Sequence, residues 1–210
     1  MPRALAADVL EDILFRRKSF DDAFAAGVVH RARASVLASR DRSFSYNLVS
    51  TTLRRLGQID DLIDSCLETP LPSKARGALT ILRLGVAQLL FMNVSAYAAV
   101  DTSVELAQLR RQGAYKKLIN AVLRRLGREG PKMILAQDVC RLNTAVWLWD
   151  NWCTAYGEDL TRRIAGAHLN RPPLDITVKS NLEGVAAALG GTILPTGSVR
   201  LHDHPGVETL

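Results

Sequence analysis

The sequence has no long hydrophobic run and no sign of a secretory leader. A helix that crosses a membrane needs roughly 18 consecutive apolar residues. The longest candidate here, residues 84–92, is far shorter and contains Gln88. Near the amino terminus, Asp8, Glu11 and Asp12 interrupt the stretch that would have to be apolar in a signal peptide. We therefore predict a soluble, cytoplasmic protein without membrane contact.

Cysteine is scarce, with three residues in 210. Cys66, Cys140 and Cys153 lie far apart, so no pair has the short spacing of a zinc site or a redox motif. His202 and His204 would share one side of a strand, but two histidines without a third ligand do not make a metal site. We expect buried, reduced thiols and no bound metal.

The sequence also lacks the local signals of a catalytic centre. No glycine-rich loop follows a strand and opens a helix, the arrangement that cradles a dinucleotide or S-adenosylmethionine. Gly190 and Gly191 follow a predicted helix instead, and no cysteine stands in the Pro-Cys context of an RNA-methylating nucleophile. We expect no catalytic residue and no cofactor site in these 210 residues.

Positive charge is concentrated in the first part of the chain. Residues 1–130 contain 20 Lys and Arg against 13 Asp and Glu, a net of +7, whereas residues 131–210 contain 7 against 8, a net of −1. A basic region suggests a polyanionic partner such as nucleic acid. Many helical proteins carry a similar excess for solubility, so charge alone leaves both interpretations open.

Apolar periodicity predicts helices over most of the first 130 residues. Residues 73–92 are apolar nearly all round, which is typical of the central helix of a bundle. Gly57 is interpreted as the stop of one helix, and Gly127, Gly130 and Pro131 as a break between domains. The predicted fold is mainly α, with an all-α bundle over residues 1–130.

Residues 131–210 are predicted to form a helical linker and a small α+β unit. The linker carries Trp147, Trp149, Trp152 and Tyr156, which could stack on bases but more often dock helices together. Strand signals begin only at residue 174, where apolar and polar residues alternate. A short helix and two further short strands follow, so we expect an α+β unit from about residue 140 onward.

The clearest candidate site is a cationic helix face. On a helical wheel, Arg124 and Arg128 each fall within about 20° of Lys117. The apolar residues of the same segment cluster on the far side: Leu118, Ile119, Val122, Leu123 and Leu126. Three cations along about 16 Å of helix could track phosphates. The alternative is an ordinary solvated face.

Further cations flank this face or lie on another helix. Lys116 and Arg125 are the flanking candidates for RNA binding. The predicted helix over residues 40–55 supplies four more: Arg40, Arg42, Arg54 and Arg55. The last two are explained equally well by complementing the helix dipole.

Four segments resemble, in the same order, those of the NusB-like fold. They are residues 40–55, 82–90 (LRLGVAQLL), 98–107 (AAVDTSVELA) and 118–126 (LINAVLRRL). Beyond them, further segments resemble the connector of the Sun (RsmB-type) ribosomal RNA 5-methylcytosine methyltransferases: Trp149, Tyr156-Gly157-Glu158, residues 168–174, residues 176–178 and residues 199–201. The connector departs from that family at Lys179-Ser180, where an Asn is usual.

The resemblance implies an RNA-binding region that positions 16S ribosomal RNA for its own carboxy-terminal catalytic domain, expected beyond Leu210. That domain would bind S-adenosylmethionine, attack C6 of a cytosine with a cysteine thiolate and methylate C5. The alternative is a NusB-type antitermination factor that regulates transcription. Such factors begin with an arginine-rich helix, whereas this chain has only Arg3 before Arg16. A third interpretation is a protein-docking module without an RNA role.

Overall fold

The computed structural model describes residues 2–32 and 38–201. It forms two compact units, Met1–Leu169 and Asn170–Leu210. The described part of the first unit is helical, as predicted, with two short 3₁₀ turns at Ser73–Ala75 and Gly113–Tyr115. Its α-helices are α1 (Pro2–Arg16), α2 (Phe20–Ala32), α3 (Ser39–Arg54), α4 (Leu56–Asp64), α5 (Arg76–Phe91), α6 (Ala96–Leu109), α7 (Lys116–Leu135), α8 (Val139–Leu142), α9 (Val146–Tyr156) and α10 (Glu158–His168).

Helix α5 is the centre of the bundle, which confirms the interpretation of its apolar sequence. It packs against α1, α3, α4, α6 and α7. Ile81, Leu82 and Leu84 are fully or almost fully buried. At Gly85 a Cβ atom would lie 2.7 Å from a methyl group of Leu123, so the missing side chain lets α7 approach α5 closely. The core of the first unit is built around this contact.

The prediction that Gly57 ends a helix is wrong. Helix α3 ends at Arg54, and Gly57 lies in the first turn of α4. A Cβ atom at Gly57 would stand 1.8 Å from the carbonyl oxygen of Leu142. The absence of a side chain at Gly57 therefore allows α4 and α8 to pack closely. These segments are some 85 residues apart in the chain, so no local sequence pattern indicates the contact.

The helix break predicted at Gly127, Gly130 and Pro131 is also wrong, because α7 continues through all three residues to Leu135. Gly130 is buried, and a Cβ there would meet Leu90 at 2.9 Å. Beyond it, Met133 packs against the core. The glycine again marks close packing, and the core contacts that follow it hold Pro131 inside the helix.

Residues 131–169 belong to the first compact unit, so the α+β unit begins at residue 170 and not near residue 140. Buried Gln58 of α4 connects this segment to the bundle: its side chain donates to Gln137 (3.0 Å) and accepts from Asn143 (2.9 Å). Trp149 is buried, with the guanidinium groups of Arg141 and Arg162 near its ring at 5.2 and 5.3 Å. This tryptophan docks helices together. The roles assigned to residues 1–130 and 131–210 stay predictions.

The second unit has the strands that the sequence predicted. Its elements are β1 (Leu174–Thr177), α11 (Leu182–Leu189), β2 (Thr192–Ile193) and β3 (Ser198–Leu201). The antiparallel sheet has the order β1-β3-β2, and α11 packs against β3 over buried Val199 and Leu201. His202 and His204 lie outside the described residues.

The structure bears on three further expectations. No helix within residues 2–32 and 38–201 is long and apolar enough to cross a membrane. The three cysteines carry free thiols and are half-buried rather than buried. Burial raises the pKa of the Cys66 thiol.

Replacing Gly57 with Ala should destabilise the protein strongly. The new Cβ would collide with the Leu142 backbone, which cannot move as a side chain can. We expect a loss of more than about 2 kcal/mol in urea unfolding, comparable to other overpacked core sites. The control is Gly113→Ala, where the nearest atom lies 3.6 Å away and stability should change little. Equal effects of the two substitutions would contradict the close approach.

Replacing Pro131 with Ala should stabilise the protein. Proline in a helix interior costs about 3 kcal/mol, while its stiffening of the unfolded chain returns about 1 kcal/mol. Pro131 is exposed and inside α7, so we expect a gain of about 1–2 kcal/mol in urea unfolding. Lys132→Ala at the adjacent exposed position is the control and should change little. An unchanged Pro131→Ala variant would mean that α7 ends before this residue in solution.

Candidate nucleic-acid interface

Helix α7 has the two-sided character that the helical wheel predicts. Lys117, Arg124 and Arg128 are all exposed, whereas four apolar residues of the same helix are buried: Ile119, Val122, Leu123 and Leu126. Among the described residues, no carboxylate lies within ion-pair distance of these three cations. The surface formed by Lys117, Arg124 and Arg128, here termed the α7 face, therefore presents three cations that no ion pair holds.

A groove between α6 and α7 lies next to this face, with a volume of about 400 Å³. Its apolar residues include Val100, Val104 and Leu123, and its polar residues are Asp101, Asn120, Arg124 and Arg128. Gly127 also lines the groove, and the absence of a side chain there leaves it open. The groove combines an apolar surface with two cations and one carboxylate, Asp101.

Tyr97 lies in this groove, and its side chain is 81% exposed. It stands in the first turn of α6, where Ser95 caps the helix by accepting a hydrogen bond from the backbone N–H of Ala98. Sequence reasoning missed this residue. A signal was present, because Tyr97 falls roughly opposite Ala99, Ser103 and Leu106, which form the buried side of the helix.

Arg124 is oriented by its own helix. Its Nε donates a hydrogen bond to the side-chain oxygen of Asn120, one turn earlier, at 3.1 Å. A guanidinium group has five N–H donors in a planar fork. The bond to Asn120 uses one of them, and the planar group remains suited to contact a phosphate or a base edge.

The structure separates the flanking cations from the α7 face. Arg125 is exposed but pairs with Glu129 at 2.8 Å, and this hydrogen bond raises the pKa of Arg125. Lys116 is half-buried at the first position of α7. Lys116 is therefore less exposed than Lys117, Arg124 and Arg128, and Arg125 differs from them because it forms an ion pair.

The cations of α3 and that of Arg55, which directly follows it, also differ from one another. The Arg55 guanidinium lies 5.4 Å from the ring centre of Phe91 and donates to the Gln58 side chain at 3.0 Å, and burial lowers its pKa. Half-buried Arg54 is the last residue of α3. Arg40 and Arg42 are exposed at the amino end of that helix, where the helix dipole disfavours cations. Helix stability therefore does not explain these two charges.

The profile of the NusB family matches residues 1–128. The chain belongs to the NusB family. The match covers α1 to α6 and the part of α7 that carries Lys117, Arg124 and Arg128. The NusB-family bundle thus contains the α7 face and the adjoining groove.

Similarity to ribosomal RNA methyltransferases extends beyond the NusB-family match. Ribosomal RNA small subunit methyltransferase B of Escherichia coli O17:K52:H18 is 27% identical over 179 residues, 84% of this chain and 40% of the relative. The same protein of Salmonella paratyphi C is 27% identical over 97% of this chain and 46% of its own length. A probable methyltransferase B of a Synechocystis species is 31% identical over 92% of this chain and 45% of its own length.

These matches confirm the resemblance to the amino-terminal region of RsmB-type methyltransferases. The chain spans 40–46% of the length of these three relatives. Two of the alignments cover more than nine-tenths of the chain, so they include part of the α+β unit as well as the NusB-family bundle.

Replacing Arg55 with Gln should destabilise the protein, whereas Arg124→Gln should not. The Arg55 substitution removes a contact with an aromatic ring and a partly buried hydrogen bond, together about 1–2 kcal/mol. The Arg124 substitution affects an exposed position and should change the free energy of unfolding by less than about 0.5 kcal/mol. Urea unfolding distinguishes the two. Equal losses would contradict the inward role of Arg55.

Proposed function

We propose that this NusB-family chain binds ribosomal RNA and positions it for a catalytic domain in the same polypeptide. The complete protein would be an S-adenosylmethionine-dependent methyltransferase that acts in the cytoplasm on C5 of a cytosine in 16S ribosomal RNA. The observation that carries the RNA-binding role is the exposed positive charge of Lys117, Arg124 and Arg128 beside an open groove. The similarity to ribosomal RNA methyltransferases supports this choice of nucleic acid.

The spacing of the three cations suits a phosphate backbone. Arg124 and Arg128 are one helical turn apart, about 6 Å along the axis, and Lys117 lies about 10 Å from Arg124. Successive phosphates of one strand advance by about 3.4 Å along a duplex axis. The α7 face would therefore follow several consecutive phosphates and contact them without reading their sequence. Exposed Arg40 and Arg42 would provide a second backbone contact on α3.

The groove would hold an unpaired base. Tyr97 offers an exposed ring, and stacking on an aromatic side chain is worth about 1–3 kcal/mol per base. The half-buried apolar side chains of Val100 and Val104 fit the face of a base, while Arg124 and Asn120 could hydrogen-bond its edge. Sequence-specific RNA recognition favours unpaired regions of this kind.

The described residues do not fit a binding site for S-adenosylmethionine. Gly190 ends α11 in a left-handed conformation, and the chain then enters β2. A cofactor cradle needs the opposite order, in which a strand leads through glycines into a helix. The methyl donor would therefore bind to the proposed catalytic domain, and we assign no step of methyl transfer to this chain.

An antitermination factor is less well supported. Arg3 of α1 is directed inward: its Nε donates to Gln88 at 2.6 Å, and its guanidinium lies 5.0 Å from the ring centre of Phe44. Arg16 pairs with Asp12 one turn earlier. The first helix therefore lacks the free arginine cluster expected of an RNA-gripping antiterminator. A pure protein-docking module would leave the charge of the α7 face unexplained.

Replacing Lys117, Arg124 and Arg128 together with Gln should weaken binding to ribosomal RNA fragments and leave the fold intact. Each lost phosphate contact lowers the slope of log affinity against log salt by about 0.7–0.9, so the triple variant should lose roughly 2 units. Fluorescence anisotropy over a salt series measures this slope, and circular dichroism checks the fold.

A matched control removes three exposed cations elsewhere: Arg163, Arg171 and Lys179, each replaced with Gln. It loses the same formal charge and should retain nearly the wild-type salt slope. Equal losses in the two triple variants would reduce the effect to net charge and overturn the assignment of the α7 face. Absence of RNA binding by the wild-type chain at low salt would overturn the proposed function itself.

A further inference from the structure

A second depression lies on the first unit where the ends of four helices meet. It has a volume of about 790 Å³ and is lined by residues along α1, at the carboxyl ends of α2 and α6 and at the amino end of α5. Five of its lining residues are arginines: Arg16, Arg31, Arg76, Arg110 and Arg111. Among the described residues that line it, Glu11 is the one acid. This group of residues is termed the arginine basin.

Three of the five arginines are paired with acids. Arg31 forms hydrogen bonds with Asp8, and Arg110 bridges Asp8 and Glu11. Arg16 pairs with Asp12 at 2.7 Å but remains 71% exposed. The contacts of Arg31 and Arg110 fix one wall of the basin. Because these contacts engage Asp8 and Glu11, these two acids do not form ion pairs with Arg76 or Arg111.

Arg76 and Arg111 have no carboxylate partner among the described residues. The Arg76 guanidinium lies 5.3 Å from the ring centre of Phe15, and this contact orients it without neutralising it. Arg76 is also the first residue of α5, a position where the helix dipole disfavours a cation. Neither an ion pair nor helix stability therefore explains its charge.

Arg111 occupies a backbone position that normally belongs to glycine. Its φ angle is +57°, in the left-handed region. It follows α6 as the residue after the cap: the N–H of Gln112 donates to Ala107 at 2.8 Å and that of Arg111 to Gln108 at 3.3 Å. Glycine would close the helix with less strain. Arg110 already provides a cation at this helix end, so the second arginine has no evident role in capping.

We propose that the arginine basin binds a phosphate group and that the ligand is a phosphodiester of the RNA backbone. The proposal rests on the RNA-binding function proposed above and adds a further contact region to the α7 face and to Arg40 and Arg42. Tyr97 and Arg111 lie 14 residues apart at the two ends of α6, about 21 Å along the helix axis. At about 3.4 Å per step of one strand in a duplex, that distance corresponds to roughly six phosphates. One RNA segment of modest length would reach both regions.

The decisive substitution is Arg111→Gly, because it removes the charge and replaces it with the residue that the backbone favours. The control is Arg17→Gly. Arg17 also has a φ of +57° and is exposed, but it does not line the basin. The two variants lose the same charge through the same substitution at the same backbone angle. Neither should lower the melting temperature, so a binding difference would not reflect unfolding.

Binding of a ribosomal RNA fragment to the full chain is measured by anisotropy over a salt series. We expect Arg111→Gly to lower the salt slope by about 0.7–0.9, its combination with Arg76→Gln by about 1.5, and Arg17→Gly to leave the slope unchanged. Slopes that are unchanged in both basin variants, in a chain whose wild type binds RNA, would overturn this proposal and leave the proposed function standing. A wild type that does not bind RNA would overturn both.

Inorganic pyrophosphate, titrated by calorimetry, identifies the source of the phosphate. Weak binding that Arg111→Gly abolishes, together with the reduced RNA slope, supports an RNA phosphodiester as the ligand. Pyrophosphate binding that depends on Arg111, with no effect of the variant on RNA, would make the basin a site for a small anion. That result would overturn the assignment to RNA.

Discussion

The all-round burial of α5 is the constraint on which the rest of the first unit depends. A helix with no polar stripe needs neighbours on every side, and α1, α3, α4, α6 and α7 provide them. The single charge in its interior, Arg83, is accommodated by a two-bond contact with Asp60 of α4 at 2.7 and 2.8 Å. One side of α7 packs its apolar residues against this core, so the cations of α7 lie on the opposite, exposed side. The candidate interface is thus a consequence of how the core is covered.

The sequence predicted those parts of the fold that follow from local periodicity. The central helix, the two sides of α7 and the alternation in β1 each depend on residues close together in the chain, so a wheel or a period of two was sufficient. Gly57 and Gly130 were misread for the opposite reason. A glycine can end a helix, or it can allow a distant backbone or side chain to pack closely. Gly57 packs against Leu142, 85 residues away, and Gly130 packs against Leu90, 40 residues away. Neither contact can be recognised from the neighbouring sequence.

The candidate site likewise combines features that local sequence predicts with features that depend on distant residues. That Lys117, Arg124 and Arg128 would be exposed followed from the packed residues of their own helix. That Arg55 is directed inward did not, because Phe91 belongs to another helix. The arginine basin could not be predicted from local sequence either, because it brings together residues that are distant in the chain. Arg16 and Arg111 line one depression although 95 positions separate them.

The positions of the acids, more than the number of arginines, decide where positive potential remains on the first unit. Asp8, Glu11 and Asp12 on α1 and Asp60 on α4 each hold specific arginines, and all of these pairs except that of Asp12 with Arg16 are partly shielded from solvent. Within residues 2–32 and 38–201, no acid forms an ion pair with the cations of the α7 face, with Arg76 or with Arg111. The net charge of +7 over residues 1–130 is therefore unevenly distributed: Arg124 and Arg128 lie beside the amino end of α6, and Arg76 and Arg111 lie beside its carboxyl end. Surface charges separated by more than about 8–10 Å are largely screened at physiological salt, so a polyanion would respond to this local pattern more than to the total.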